Sequence, residues 1–245
     1  MLASLAFGCP TGVVLAQGAA THKPPQSGHS ASKTVLVLGD SLSAEYGITR
    51  GTGWVPLLEQ RLRRTHGDTN IVNASISGDT TSGALARLPP LLAKVHPDVM
   101  VIELGGNDAL RGLDLRATEA NLRAMIAAAS KVGARVLLLG MQIPPNYGTD
   151  YTRAFAGIYP KLAKTGSVTL VPFFLEGLQT RPDLFQSDRI HPGAAAQSIL
   201  LENVWPHLEA MLTPAAVRTS QKTTPAPLSA GKPAINAANP AAAAR

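Results

Sequence analysis

Residues 33–47 read K-T-V-L-V-L-G-D-S-L-S-A-E-Y-G, an apolar run that ends abruptly at Gly39, Asp40 and Ser41. An unbroken run of this kind is typical of a parallel strand buried on both faces, so we predict a strand over residues 34–38. Gly39 permits a turn that residues with a side chain resist, and Ser41 follows where a parallel strand meets the next helix. The Ser41 hydroxyl is therefore expected at the carboxyl edge of the sheet, where open α/β sheets build their ligand sites. Gly, Asp and Ser are also ordinary turn and capping residues, so the tripeptide alone equally fits a plain strand-to-helix turn.

Strand and helix patterns alternate along the rest of the chain. Apolar runs predict further strands at residues 69–74, 98–104, 135–141 and 167–173. Helical periodicity predicts amphipathic helices at residues 54–65, 118–132, 150–164 and 193–212. Pro160 is expected to kink its helix or to end it early, and Pro206 is expected to bend the last one. This order of elements predicts one α/β domain, a three-layer α/β/α sandwich around a five-stranded parallel sheet.

The two ends of the chain differ in composition from the domain predicted at residues 33–213. Residues 1–20 are apolar and rich in small residues, and no Lys or Arg precedes Lys23. We interpret residues 1–32 as a truncated or degenerate export signal followed by a flexible leader, which predicts a periplasmic or secreted protein. Residues 214–245 are mostly Ala, Pro, Thr, Ser and Lys, which predicts a disordered tail, with a tether to the cell envelope as the alternative.

The excess positive charge lies outside the predicted domain. The chain carries 22 Lys and Arg against 16 Asp and Glu, a net charge of +6, and six basic residues but no acids lie outside residues 34–213. The domain itself is therefore neutral, and we expect no nucleic-acid partner. Cys9 is the only cysteine, which excludes an internal disulfide and a cysteine-based zinc site. No segment reaches the roughly eighteen continuous apolar residues of a transmembrane span.

An acid and an imidazole lie three residues apart just before the last predicted helix, at Asp188 and His191. At this spacing one tight turn can aim both side chains the same way. His191 would then take the proton of Ser41, and Asp188 would hold the imidazole in the productive tautomer. Taken alone, the pair also fits a surface turn with a helix-capping acid.

Donors for an oxyanion are expected at the same edge of the sheet. Gly78 follows the second strand, where a residue without a β-carbon exposes its N–H, and Asn107 follows the third strand with an amide that can donate. The Ser41 N–H is the third donor. Turn formation explains Gly78 and Asn107 individually, but four separate strand ends or helix starts each carry a residue type that acyl transfer requires.

Four blocks of this sequence resemble, in order and spacing, those of the GDSL lipolytic enzymes, or SGNH hydrolases. They are Gly39-Asp40-Ser41-Leu42-Ser43-Ala44, residues 73–80, residues 103–108, and Asp188 with His191. Within that family the chain looks most like the bacterial arylesterase and thioesterase I/lysophospholipase branch. The resemblance covers about residues 33–212. It implies a flavodoxin-like sandwich without a metal or an organic cofactor, with Ser41 as nucleophile, His191 as base and Asp188 as its partner. It also implies an oxyanion hole made by Ser41, Gly78 and Asn107.

One position departs from the family's pattern. The family often has Gly directly after the acid of its last block, where this chain has Arg189. The change is expected to alter the entrance of the site or to add a cation for anionic head groups. By the same resemblance, the loops after the third and fourth strands are expected to line a groove for an apolar chain, with contacts from Leu110, Ile143, Pro144 and Tyr147.

The implied function is a serine hydrolase that cleaves carboxylic esters or thioesters of small molecules, such as aryl esters, acyl thioesters or lysophospholipids. The alternatives are an O-acetyl esterase of carbohydrates or cell-wall polymers, a peptidase, and a non-catalytic module that contacts the cell envelope through its tails. A metal held by Asp40, Asp79 and Asp108 is disfavoured, because capping explains an acid at each of these helix starts. The chain lacks the G-x-S-x-G and G-x-G-x-x-G motifs of other α/β enzymes.

Overall fold

A computed structural model describes residues 32–166 and 168–213 of the chain. The interpretations of residues 1–31 and 214–245 as export signal, leader and tail, and Cys9 with them, lie outside these residues. Within them, five parallel strands form one sheet in the order β2-β1-β3-β4-β5, as predicted for a flavodoxin-like sandwich. The strands are β1 (Lys33–Gly39), β2 (Thr69–Asn73), β3 (Val99–Glu103), β4 (Arg135–Leu139) and β5 (Val168–Val171).

Helices cover both faces of the sheet. On one face α1 packs against α6, and on the other α4 packs against both α2 and α5. The α-helices of the described residues are α1 (Trp54–Thr65), α2 (Thr81–Val95), α3 (Gly106–Leu110), α4 (Leu115–Lys131), α5 (Thr149–Ala163) and α6 (Gln197–Leu212). Short 3-10 helices lie at Pro145–Tyr147, Pro182–Leu184 and Ala194–Ala196.

The three central strands form the middle of the core. Residues 35–38 of β1 are inaccessible to solvent, and every residue of β3 is buried. The outer strands β2 and β5 are mostly half-buried. Burial on both faces of the central strands accounts for their unbroken apolar sequences. The largest buried side chain, Trp54 of α1, packs edge-on against Phe174, with 5.5 Å between the ring centroids.

The strand order places a topological switch point between β1 and β3. The chain leaves β1 for β2 on one side and returns to β3 on the other, and Gly39 of β1 pairs with Glu103 of β3. The carboxyl ends of these two neighbouring strands are therefore level. Crevices at such a point are where doubly wound sheets bind their ligands.

The helices run through their prolines. The early end considered for the helix predicted at residues 150–164 does not occur, since α5 continues through Pro160 to Ala163, and α6 likewise continues through Pro206. Pro160 lies in the last turn of α5, and it removes only its own N–H from the hydrogen-bond ladder. Its carbonyl still accepts the backbone N–H of Lys164 at 3.2 Å.

Two helix starts differ from those predicted. The last helix begins at Gln197 rather than at residue 193, because a short 3-10 turn precedes it. Helix α4 begins at Leu115 rather than at residue 118. Its start is set by the Asp114 side chain, which caps it by accepting a backbone N–H at 2.9 Å.

We predict that Gly140→Ala destabilises the fold by about 1–3 kcal/mol, the usual range for overpacking. Gly140 follows β4, and a methyl group there would lie 2.2 Å from the Pro172 carbonyl oxygen. That backbone cannot move freely, because the Gly140 N–H donates to Val171 at 2.8 Å and the Gly140 carbonyl accepts from Phe174 at 2.8 Å. Urea unfolding followed by circular dichroism measures the change.

Gly157→Ala is the matched control for this substitution. Gly157 lies inside α5, and apart from its chain neighbours and the backbone of its own helical turns no heavy atom lies within 4 Å of the added methyl group. Because Ala is the better helix former, this variant is expected to be as stable as the natural protein or up to about 1 kcal/mol more stable. Equal unfolding midpoints for Gly140→Ala and Gly157→Ala would contradict the prediction.

Candidate active site

Ser41, His191 and Asp188 form one hydrogen-bonded row at the carboxyl edge of the sheet. The Ser41 Oγ lies 2.9 Å from His191 Nε2, and His191 Nδ1 lies 2.7 Å from Asp188 Oδ2. The sequence separates Ser41 from His191 by 150 residues. The structure therefore brings together the three residues that sequence analysis predicted as nucleophile, base and partner.

A short turn before α6 holds the imidazole in place. Phe185 and Pro192 form an isolated antiparallel bridge, and the Gln186 N–H donates to the His191 carbonyl at 2.8 Å. The Gln186 side chain ties this turn to the Ser41 loop by donating to the Tyr46 carbonyl at 2.8 Å. The Tyr46 ring contacts the imidazole, with 4.5 Å between the ring centroids. The position of His191 thus depends on contacts from both loops.

The Asp188 carboxyl is held in its ionised form. Its Oδ1 accepts the backbone N–H groups of Ile190 at 2.9 Å and His191 at 3.0 Å. Partial burial acts to raise the pKa of Asp188, but these backbone donors and the imidazole outweigh it and bring the pKa down to about 2. Asp188 therefore carries the negative charge that fixes the tautomer of His191 and stabilises it when protonated.

The three predicted oxyanion donors lie on loops that are bonded to one another. Asn107, in the first turn of α3, donates its amide to Asp40 Oδ2 at 3.0 Å. Gly78 adopts φ +79°, a conformation that favours glycine, and its carbonyl accepts from Arg111 at 2.9 Å. Among the described residues, the backbone N–H groups of Ser41 and Gly78 have no acceptor. Both are free to donate to a bound substrate.

Asp40 is a buried carboxyl group that joins the ends of β1 and β3. It accepts the Leu42 N–H at 3.1 Å as well as the Asn107 amide. Burial raises the pKa of Asp40 to about 6, although these two hydrogen bonds act to lower it. Asp40 thus fixes the Asn107 side chain beside Ser41, the supporting role that sequence analysis favoured over metal binding.

Sequence analysis missed Glu103, a second carboxyl group in the interior. It is fully buried, and its Oε2 accepts the Asp40 N–H at 3.2 Å and the Ser43 hydroxyl at 2.8 Å. Burial, together with repulsion from Asp40, raises the pKa of Glu103 well above its ordinary value. The available signal was an acid inside an apolar run, D-V-M-V-I-E-L, at residues 98–104.

The other two acids of the proposed cluster have protein partners. Asp79 accepts from Arg87 Nε at 2.9 Å, and Asp108 accepts the Thr81 N–H at 2.9 Å. Within residues 32–166 and 168–213, no three His, Cys, Asp or Glu side chains are grouped closely enough to hold a metal ion.

A cavity of about 550 Å³ opens beside Ser41 and His191. Of the four predicted substrate contacts, Leu110, Ile143 and Pro144 line it. Tyr147 does not belong to the lining, and its hydroxyl donates to the Leu110 carbonyl at 3.3 Å. Further apolar side chains that sequence analysis did not predict as substrate contacts line the cavity, among them Leu42, Met141, Phe173, Leu175, Leu178, Phe185 and Ile190.

A hydroxyl, an imidazole and a carboxylate bonded in this order at the edge of an α/β sheet define a serine hydrolase. Comparison with known proteins identifies the family within this class. The model of the GDSL-like lipase/acylhydrolase family matches residues 37–199, and the chain belongs to that family. The part of the chain that the structure describes contains no helix long and apolar enough to cross a membrane.

Three relatives illustrate the similarity. The chain is 49% identical to the esterase TesA of Pseudomonas aeruginosa over 212 residues, which are 86% of this chain and all of that protein. It is 44% identical to the thioesterase 1/protease 1/lysophospholipase L1 of Escherichia coli K12 over 173 residues, 71% of this chain and 82% of that one. A crystal structure of TesA superposes with a TM-score of 0.71 at 52% identity, covering 73% of this chain and 99% of the other.

We predict that Glu103→Gln reduces the loss of stability that accompanies a rise in pH from 5 to 8. Burial and repulsion from Asp40 raise the pKa of Glu103 in the folded state, and a carboxyl group of this kind stabilises that state fully below its unfolded pKa and loses the contribution as the pH rises through its folded pKa. The amide introduced by the substitution carries no charge to desolvate and does not repel Asp40. From pH 5 to pH 8 the natural protein should therefore lose on the order of 1 kcal/mol more free energy of unfolding than the variant.

Urea unfolding at the two pH values provides the measurement. Glu59→Gln, which changes an exposed glutamate paired with Arg63 on α1, is the matched control and should follow the natural protein. The same pH dependence in Glu103→Gln and Glu59→Gln would show that the buried pair does not titrate as described.

Proposed function

We propose that the protein hydrolyses carboxylic esters and thioesters of small acyl substrates through an acyl-enzyme on Ser41. The observation that carries this proposal is the continuous row from Ser41 Oγ through the imidazole of His191 to Asp188, with separations of 2.9 and 2.7 Å. A hydroxyl is a weak nucleophile at neutral pH, and it needs a base within hydrogen-bond reach to attack a carbonyl.

In the first half of the proposed reaction, Ser41 Oγ bonds to the acyl carbon while its proton passes to His191 Nε2. The carbonyl oxygen becomes an oxyanion, for which the Ser41 N–H, the Gly78 N–H and the Asn107 amide are the proposed donors. Each such donor contributes roughly 3–4 kcal/mol of transition-state stabilisation in enzymes of this kind. The proton then passes from His191 to the leaving oxygen or sulfur as its bond to carbon breaks, and the acyl group stays on Ser41.

In the second half, water replaces the alcohol or thiol. His191 takes a proton from the water as its oxygen bonds to the acyl carbon, and returns the proton to Ser41 Oγ as the ester bond to Ser41 breaks. The products are a carboxylic acid and the free enzyme. Asp188 stays ionised throughout and stabilises the imidazolium in both halves.

The lining of the cavity supports an apolar acyl group. A volume of about 550 Å³ accommodates a chain of several carbons, and the walls contributed by Met141, Ile143, Phe173 and Leu178 are hydrocarbon or thioether. The names of the relatives, an esterase and a thioesterase/lysophospholipase, are consistent with acyl esters, acyl thioesters and lysophospholipids as substrates. We include aryl esters because their leaving groups depart readily, so the site needs to contribute little to breaking the ester bond.

Labelling with a fluorophosphonate tests the nucleophile. We expect one adduct, located at Ser41 by mass spectrometry, and none in Ser41→Ala. Ser41→Ala and His191→Ala should each lower kcat by at least about 10³-fold, because nucleophile and base act as one unit. Ser198→Ala, at an exposed serine of α6, is the control and should keep full labelling. An adduct at another residue, or ester hydrolysis that survives Ser41→Ala, would overturn the assignment.

A substrate panel separates this function from its rivals. p-Nitrophenyl esters and acyl thioesters of two to twelve carbons are compared with acetylated oligosaccharides and with amides of the same acids. We expect kcat/KM to rise with chain length beyond acetyl, since each buried methylene adds about 0.8 kcal/mol. Preference for the acetylated sugars would favour the O-acetyl esterase, and equal cleavage of amides would favour a peptidase.

For its location, we propose a periplasmic or secreted protein, on the basis of the apolar, small-residue-rich composition of residues 1–20. Amino-terminal sequencing of the protein recovered from the periplasmic fraction checks this. Recovery of the whole protein from the cytosol, with Met1 retained, would contradict it.

A further inference from the structure

The imidazole of His191 has an aromatic neighbour outside the catalytic row. The Tyr46 ring lies tilted against it, with 4.5 Å between the ring centroids and 43° between the ring planes. Tyr46 is 51% exposed, so burial of its own surface does not explain where the ring lies. Tyr46 is also not among the residues that line the 550 Å³ cavity beside Ser41. The ring therefore contacts the base without forming part of the wall that a substrate would meet.

The backbone of Tyr46 is hydrogen-bonded on both sides of its ring. Its N–H donates to the Ser41 carbonyl at 3.3 Å, and its carbonyl accepts the side-chain amide of Gln186 at 2.8 Å. The Gln186 N–H in turn donates to the His191 carbonyl at 2.8 Å. Ser41 and His191 are thus connected by a second route, through Tyr46 and Gln186, besides the direct contact between their side chains.

The residue before Tyr46 adopts an uncommon backbone conformation. The φ of Glu45 is +59°, in the left-handed region that residues with a side chain seldom occupy. Glu45 Oε1 accepts the backbone N–H groups of Gly51 at 2.8 Å and Gly53 at 2.7 Å, which holds the Ser41 loop in this shape. Backbone strain persists where the surrounding structure fixes it, and such residues cluster at active sites. The strain at Glu45 therefore accompanies a fixed position of the Tyr46 ring.

Gln186 packs closely between the Ser41 loop and the turn that carries His191. A methyl group on Gly47 would lie 2.0 Å from Gln186 Oε1, so the amide approaches the loop backbone more closely than a residue with a β-carbon would allow. Gln186 Nε2 also donates to the Pro192 carbonyl at 3.4 Å, within the turn itself. A change of side-chain rotamer at Gln186 would therefore release the loop from the turn.

We propose that Tyr46 and Gln186 are positioning residues for the base. Gln186 holds the Ser41 loop against the turn that carries His191, and the Tyr46 ring keeps the imidazole in the orientation that reaches Ser41 Oγ. The inference rests on the proposed function, since it concerns the proton transfers between Ser41 and His191, and no bond forms or breaks at either positioning residue. Misplacing a catalytic group by about 1 Å can slow a reaction by about 10²-fold, so such contacts affect the rate.

Steady-state kinetics with p-nitrophenyl butyrate tests both residues. We expect Tyr46→Ala and Gln186→Glu each to lower kcat by about 10- to 100-fold. KM should stay unchanged, because neither residue lines the cavity. Tyr46→Phe keeps the ring and should keep the natural kcat. Gln186→Glu keeps the length of the side chain, but its carboxylate cannot donate to the Tyr46 carbonyl. Gln60→Glu, at an exposed glutamine of α1, is the matched control and should behave like the natural protein.

The double variant Tyr46→Ala/Gln186→Glu tests whether the two residues act through one another. If Gln186 acts through the Tyr46 ring, the double variant should be little slower than Tyr46→Ala, whereas independent effects multiply. Equal urea midpoints show that the variants are folded. A natural kcat in Tyr46→Ala and Gln186→Glu would overturn the proposal. A raised KM at unchanged kcat would also overturn it, and would place these residues in substrate binding.

Proton NMR of the imidazole separates this inference from the proposed function. The His191 ring signals are assigned by their loss in His191→Ala, and the neighbouring Tyr46 ring shifts them. We expect Tyr46→Ala to abolish this ring-current shift and Gln186→Glu to reduce it. A shift that Gln186→Glu leaves unchanged would overturn the proposal, whatever the activity. A natural protein that hydrolyses no ester would refute the proposed function, whereas an active natural protein with unaffected variants would refute this inference alone.

Discussion

The register that sets Gly39 opposite Glu103 is the constraint on which the rest of the structure depends. It aligns the ends of the two central strands and places the Glu103 carboxyl directly under the turn that carries Ser41. A methyl group on residue 39 would lie 2.8 Å from both Glu103 Oε2 and the Ser43 side chain, so only glycine leaves room for this contact. The sharp turn and the buried acid therefore require each other.

Two buried carboxyl groups beside a nucleophile are costly to maintain, and the arrangement of their partners explains why they are retained. Glu103 accepts the Asp40 N–H and the Ser43 hydroxyl, whereas Asp40 accepts the Leu42 N–H and the Asn107 amide. Burial raises the pKa of both groups, so each carboxyl group is protonated more readily than an exposed one. Asp40 Oδ2 accepts the Asn107 amide, and this hydrogen bond ties the end of β1 to the part of the site that follows β3.

Much of this architecture followed from the sequence, because its central strands are buried on both faces and their apolar runs are unambiguous. Parallel strands end at a common edge, which is why Ser41 and Asn107 could be placed together before any coordinates were known. Side-chain direction was harder to predict. Tyr147 lies in the expected loop, but its hydroxyl bonds to the Leu110 carbonyl and the residue lies outside the cavity lining. The role of Glu103 depends on which residue of β1 faces it, and local pattern does not contain that information.

The outermost strands of the sheet have a consequence for the protein at high concentration. Strand β2 has five residues and β5 has four, so within residues 32–166 and 168–213 each side of the sheet offers only a short row of unpaired backbone groups. Long, flat, apolar edges recruit strands from other molecules and start aggregates, whereas short ones give an incoming strand little to hold. Because β2 and β5 are short, molecules in a concentrated solution are expected to have little tendency to pair through these edge strands.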